Sequence, residues 1–186
     1  MRILQSRWSA VFIAAALVFS CSQADAESAS VGPIQLVIPE GFAYATSARQ
    51  GSMTVSAWTD SAGAAKTLLQ VSVVDIGSSA ESIGPAELAD GSASYLLQFL
   101  QGVQRRRTDY TLSPIRHLTI AGTPAAMATW TGALDGLPMV GVMYCVIVHG
   151  RYVVSFHTQD LGYAPTPSMR QAMKAIETAQ ARTVTY

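Results

Sequence analysis

Beyond the first 26 residues, the longest stretch that stays apolar at both parities runs from Met139 to Val148: Val140, Val142, Tyr144, Val146 and Val148 alternate with Met139, Gly141, Met143, Cys145 and Ile147. Alternate side chains of a strand point to opposite faces, so such a segment belongs in the middle of a sheet covered on both sides. His149-Gly150-Arg151 then predicts a tight turn, and Tyr152 to Thr158 the returning strand. Upstream, Ile34, Leu36 and Ile38 alternate with Gln35 and Val37 as a short strand, which Pro39-Glu40-Gly41 ends. Phe42 and Tyr44 follow as packing anchors. Met53 to Trp58 and Leu68 to Ile76, separated by a turn at Ser61-Ala62-Gly63, add two more strands, and with 34–38 they predict an antiparallel meander. A further hairpin pairs Ile115 to Ala121 with Ala125 to Thr131 through Gly122-Thr123-Pro124.

Two segments change period. After a Ser/Ala/Gly loop between Gly77 and Gly84, Pro85 opens a helix at the position proline tolerates best, and Leu88, Ser92, Tyr95, Leu96, Phe99 and Val103 recur at steps of three and four. Gly91 and Gly102 each weaken that helix by up to about 1 kcal/mol relative to alanine, so packing must hold it. A closing helix is expected from about Ser168 to Ala181, with Thr166 or Ser168 as N-cap and Met169, Met173 and Ile176 facing inward. The pattern is α+β: a largely antiparallel sheet covered by helices, in one domain over 34–182 with a linker at 27–33.

The first 26 residues read differently. Arg2 and Arg7 precede the apolar run Ala10 to Phe19, the order of a secretory signal peptide. That run is half the roughly 20 residues a membrane span needs. Ala24-Asp25-Ala26 meets the small-x-small rule for release at Glu27. Val18-Phe19-Ser20-Cys21 instead resembles a lipoprotein box that would lipidate Cys21, a pattern the bulky Phe19 fits less well. Either route places the protein outside the cytoplasm, in the periplasm, soluble or lipid-anchored.

Only 13% of the residues are charged, and 12 basic residues balance 12 acidic ones, so no basic footprint for nucleic acid exists. About 160 residues remain after the signal, enough for a domain that buries roughly 70% of its unfolded surface without metal or disulfide. Cys145, flanked by apolar residues, reads as an inert strand residue. His117, His149 and His157 are scattered, no Gly-x-Ser-x-Gly, Cys-x-x-Cys or P-loop occurs, and the acids are dispersed. No cofactor and no metal is therefore expected. Trp58 and Trp130 read as core residues.

Surface candidates remain. Leu134 and Leu137 flank a hairpin loop, and Leu161 and Tyr163 form another apolar pair in a loop. Loops on a rigid sheet commonly carry recognition, although single exposed apolar residues are ordinary and these side chains could fold back on their own sheet. Arg105-Arg106-Arg107 closes the first helix, where cations complement the negative end of the helix dipole or could meet an acidic partner.

Ile38-Pro39-Glu40-Gly41-Phe42, Ile120-Ala121-Gly122-Thr123-Pro124-Ala125 and Tyr152-Val153-Val154-Ser155-Phe156, in this order before a final helix, resemble the PsbP-like superfamily, which includes DcrB-like bacterial envelope proteins. The resemblance implies an α/β/α sandwich and an adapter or binding role, with no shared catalytic set to carry over. The final helix departs from it by ending in Ala-Gln-Ala-Arg, and the metal cluster of some photosynthetic members has no counterpart. The expectation is an exported, non-catalytic binding or assembly protein of the bacterial envelope, its partner another envelope protein. Alternatives are a periplasmic immunity protein that neutralises a secreted toxin, and a small hydrolase built on His117 or His157. A membrane tether would require lipidation of Cys21.

Overall fold

In the computed structural model, which describes residues 27–60, 66–77 and 84–183, the chain runs β1 (Glu27–Val31), β2 (Ile34–Ile38), β3 (Phe42–Gln50), β4 (Met53–Asp60), β5 (Thr67–Asp75), α1 (Pro85–Gln104), β6 (Thr108–Leu112), β7 (Arg116–Ile120), β8 (Thr123–Leu134), β9 (Leu137–Val148), β10 (Tyr152–Leu161), α2 (Pro167–Glu177) and β11 (Gln180–Ala181). Residues 1–26, expected as a signal peptide and holding Cys21, the turn at Ser61-Ala62-Gly63 and residues 78–83 of the Ser/Ala/Gly loop lie outside the described residues.

Eight strands form one antiparallel sheet in the order β3-β4-β5-β10-β9-β8-β6, with β7 also on β8. β9 is the strand apolar on both faces, and it is buried from Met139 through Val148. On one face Val140, Val142, Tyr144, Val146 and Val148 pack with Phe156, Trp58 and the inner residues of α2. On the other, Met139, Met143, Cys145 and Ile147 pack with Leu96, Leu100 and Val103 of α1. The result is the expected α+β sandwich, with helices on opposite faces of a largely antiparallel sheet. No helix among the described residues is long and apolar enough to cross a membrane.

Several expectations are corrected. Residues 27–33 are not a linker: β1 pairs with β2 through the Gly32-Pro33 turn, and Gly32 takes φ +56. β2 does not join the meander, because its buried Ile34, Leu36 and Ile38 lie in a separate three-stranded sheet, β1-β2-β11, that packs beside α2. β3, expected only as two anchors, is the strand that completes the meander with β4 and β5. The β7–β8 turn is Ala121-Gly122, both at positive φ, rather than Gly122-Thr123-Pro124. β10 extends to Leu161, and β6 was not anticipated. α2 stops at Glu177, where Thr178 caps it and the chain turns to form β11.

Local contacts explain the helices. α1 starts at Pro85, and the Glu87 carboxylate accepts the Gly84 N–H at 3.0 Å, which satisfies one free donor of the helix start. Gly91 lies where α1 comes closest to β9: a Cβ there would stand 2.8 Å from Ile147 Cδ1. α2 is capped by Thr166, whose Oγ1 accepts the Met169 N–H at 3.2 Å. Two buried carboxylates dock its start. Asp160 accepts from Thr67 Oγ1 at 2.6 Å and from the Thr166 N–H at 2.7 Å, while Ser168 donates to Asp60. Replacing Asp160 by alanine removes two charge-assisted bonds and leaves the buried Thr67 hydroxyl only its longer contact to Thr166 Oγ1 at 3.3 Å. Since hydrogen bonds to charged groups contribute about 1.5–3 kcal/mol each, Asp160→Ala is expected to lower unfolding stability by at least roughly 3 kcal/mol in urea titration, and a loss below 1 kcal/mol would refute this docking role.

Candidate protein-binding surface

The topology gathers the sequence candidates at one end of the sandwich. Leu134 and Leu137 are register partners at the tip of the β8–β9 hairpin, joined by Asp135-Gly136 with φ +51 and +77. Two successive positive φ values mark the two-residue hairpin turn for which Asp-Gly is the best short signal. Beside the tip, the Gly162 N–H donates to the Pro138 carbonyl at 2.7 Å, tying the loop after β10 to the start of β9. The end of α1 arrives at the same place, because β6 begins opposite Ala133, and a Cβ on Gly132 would stand 3.2 Å from both Arg107 Cβ and the Thr108 carbonyl.

Exposure separates this end from the rest of the surface. Seven large apolar side chains are exposed among the described residues. Val37, Tyr44, Ile76 and Leu97 lie singly on different segments, whereas Leu134 (38% exposed), Leu137 (56%) and Tyr163 (87%) lie on the two loops joined by the Gly162–Pro138 hydrogen bond. Leu161 is only half-buried by contact with the α1-side core, so it supports the loop more than it extends the surface. Arg105 and Arg106 are exposed just past the end of α1, where cations complement the helix dipole.

Arg107 behaves differently. Its guanidinium lies over the Trp130 ring, 5.4 Å from the centroid, and its Nη2 reaches Gln159 Oε1 at a long 3.4 Å. Trp130 is 1% exposed and lies flat over β9, which requires Gly141: a Cβ there would stand 2.2 Å from the indole. Tyr110 stacks on the indole at 6.2 Å, and the His157 ring lies 5.7 Å from it. Burial, and then the Arg106 charge, pull the Arg107 pKa below its usual value, and burial raises that of Tyr110. Arg107 Nε, Tyr110 Oη, Trp130 Nε1 and both His157 ring nitrogens are buried without a hydrogen-bond partner. Sequence reading saw the arginine triplet and Trp130 but not their contact, since nothing local says which arginine turns inward.

The histidines do not assemble. His117 is exposed on β7 and His157 is buried on β10, with β8 and β9 between them. The nearest charge to act on His157 is the cation Arg107, not a carboxylate. Cys145 is buried, and desolvation pushes its thiol up to about 12, so it is no nucleophile. Among the described residues no three His, Cys, Asp or Glu side chains lie close enough to hold a metal ion. At the opposite end, an open depression of about 590 Å³ is lined by Arg49, Ser52, Thr54 and Asp75. Asp75 there is already engaged by Arg151, at 3.0 and 2.8 Å, and this contact, more than the Gly77 N–H, lowers its pKa.

The architecture matches solved structures at low sequence identity. Mycobacterium tuberculosis LpqN, described as involved in cell envelope biogenesis, superposes with TM-score 0.53 at 15% identity, over 84% of this chain and 90% of its own. Cyanobacterial PsbP (CyanoP) from Synechocystis gives 0.54 at 12% identity, over 89% and 99%. The chain has a PsbP-like fold. The Saccharomyces cerevisiae Ran-binding protein Mog1p shares this fold, with TM-score 0.50 at 9% identity over 84% of this chain and 96% of its own. The sequence itself matches no family profile and no curated protein. At 9–15% identity this likeness shows the fold alone, and function must be argued from the site.

His157 sets a pH dependence. Burial, reinforced by Arg107, lowers its pKa from 6.5 to about 3, so the folded protein keeps the imidazole neutral where the unfolded chain protonates it. The unfolded state then binds more protons between about pH 6.5 and 3, and stability falls by about 1.4 kcal/mol per pH unit as pH drops through that window. Between pH 6.5 and 5 the wild type is expected to lose about 1.6 kcal/mol more than His157→Leu in urea unfolding, because the unfolded imidazole is only half protonated at the upper end. Parallel acid limbs would refute it.

Proposed function

We propose that this is an exported, non-catalytic protein of the bacterial cell envelope that binds or helps assemble another envelope protein through the end of the sandwich carrying Leu134, Leu137 and Tyr163. The clustering of these three exposed side chains on two loops tied by the Gly162–Pro138 hydrogen bond carries the reading. Apolar residues held proud of a rigid sheet, beside cations, have the composition of an interface core with a polar rim. The order of Arg2 and Arg7, the apolar run Ala10 to Phe19 and Ala24-Asp25-Ala26 supports export, and the PsbP-like fold shared with LpqN, a protein involved in cell envelope biogenesis, supports the compartment and the class of role. Leu161 holds the second loop in place, and Arg105 and Arg106 supply the rim.

The test is capture of partners from envelope extract by the full chain and by the variant Leu137→Asp/Tyr163→Asp. Burying a charge at an apolar contact without a partner is costly, so a protein recovered reproducibly with the wild type is expected to fall at least tenfold with the variant, while Val37→Asp leaves it unchanged. Equal recovery with all three proteins would overturn the assignment of this surface.

A further inference from the structure

Arg107 is an unusual cation. It is half-buried, yet among the described residues no carboxylate forms an ion pair with it, unlike Arg151, which pairs with Asp75 at the other end of the molecule. Its contacts are the face of Trp130, a bond from Nη1 to the Arg106 carbonyl at 3.1 Å and a long one from Nη2 to a neutral amide, none of them anionic, and its Nε–H has no acceptor. A guanidinium is a rigid fork of five donors matched to a carboxylate or phosphate, and burying one without an anion forfeits the charge-assisted bonds that would offset desolvation. The groups beneath it add no negative charge: Trp130 Nε1 is a donor, Tyr110 stays protonated, and His157 stays neutral. Asp135 at the hairpin tip acts on Arg107 only at a distance.

We propose that Arg107 is a carboxylate receptor within the docking surface, and that the partner segment brings an Asp, a Glu or a chain end to it while its apolar side chains meet Leu134, Leu137 and Tyr163. This rests on the assignment of that end as a binding surface and adds the chemistry of its occupant. Charge complementarity selects the occupant: three consecutive arginines beside three exposed apolar side chains fit an acidic-apolar protein segment. Arg107 differs from its exposed neighbours because it is partly desolvated before the partner arrives. Its carboxylate bond therefore forms next to an indole wall rather than in open water, where ion pairs contribute little. Trp130, fixed over Gly141, holds the guanidinium in position, so it is a positioning residue for Arg107.

The test is an NMR titration of the ¹⁵N-labelled full chain with two blocked peptides, acetyl-Leu-Glu-Leu-amide and acetyl-Leu-Gln-Leu-amide. The Arg107 Nε–H and Trp130 Nε1–H resonances are the reporters, the latter assigned by Trp130→Phe. The glutamate peptide is expected to shift both and to bind about tenfold more tightly than its neutral twin, the factor that corresponds to about 1.4 kcal/mol. Arg107→Gln should abolish the preference, and Arg107→Lys, which keeps the charge but not the fork, should retain only part of it and confirm that the fold survives. Arg105→Gln should change it less than threefold. Equal affinity for the two peptides, an undiminished preference in Arg107→Gln, or no shift at either reporter would each overturn the carboxylate role. If the preference fails while the backbone amides of Leu134 and Leu137 still shift with both peptides, the apolar docking surface stands without the carboxylate role, whereas failure of envelope capture would remove the surface itself.

Discussion

β9 is the constraint on which the rest depends. A strand that presents apolar side chains to both faces is stable only if both faces are covered, and this requirement draws α1 to one side and α2 with the β1-β2-β11 sheet to the other. Its two small concessions are informative. Ile147 meets α1 where the helix has Gly91, and Gly141 leaves a flat patch of backbone on which the Trp130 indole lies. The first lets the helix approach; the second places a large aromatic plate at the edge of the core, close to the loops.

That plate connects core to surface. Because Trp130 reaches over β9 toward β10, Arg107 can leave solvent at the end of α1 and settle on the ring. The β8–β9 turn and the loop after β10 are then fixed to the same end by register and by the Gly162–Pro138 bond. The densely buried sheet anchors both ends of each loop, and anchoring of this kind lowers the ordering cost of binding. A surface of this kind suits recognition better than chemistry. The buried histidine lacks a carboxylate, the thiol is desolvated, and the acids that are buried, Asp60 and Asp160, are occupied with holding the start of α2.

Much of this was legible in the residues. Strong periods identified β9, β10, β5 and both helices, and the three short signatures pointed to the PsbP-like sandwich that the solved structures share. What escaped notice was weakly patterned. β1 reads Glu-Ser-Ala-Ser-Val and has little to bury; β3 is mostly exposed at a sheet edge; β6 is five residues long and interrupted by a register shift, with Asp109 at positive φ. α2 was drawn too long because Gln180-Ala181 continues a helical composition while pairing with β2. At the site, the individual residues were visible but their meeting was not. Residues 105–107, 134–137 and 161–163 are brought together only by strand order, and the inward turn of Arg107 depends on a glycine in another strand.

The most direct measurement of the central claim is site-specific photo-crosslinking in the native envelope, with a photoreactive residue placed in turn at Leu137, Tyr163, Val37 and Tyr44, all exposed. The account predicts a discrete adduct with the same protein from positions 137 and 163 and none from 37 or 44. Adducts confined to 37 or 44, or absent from 137 and 163, would contradict it.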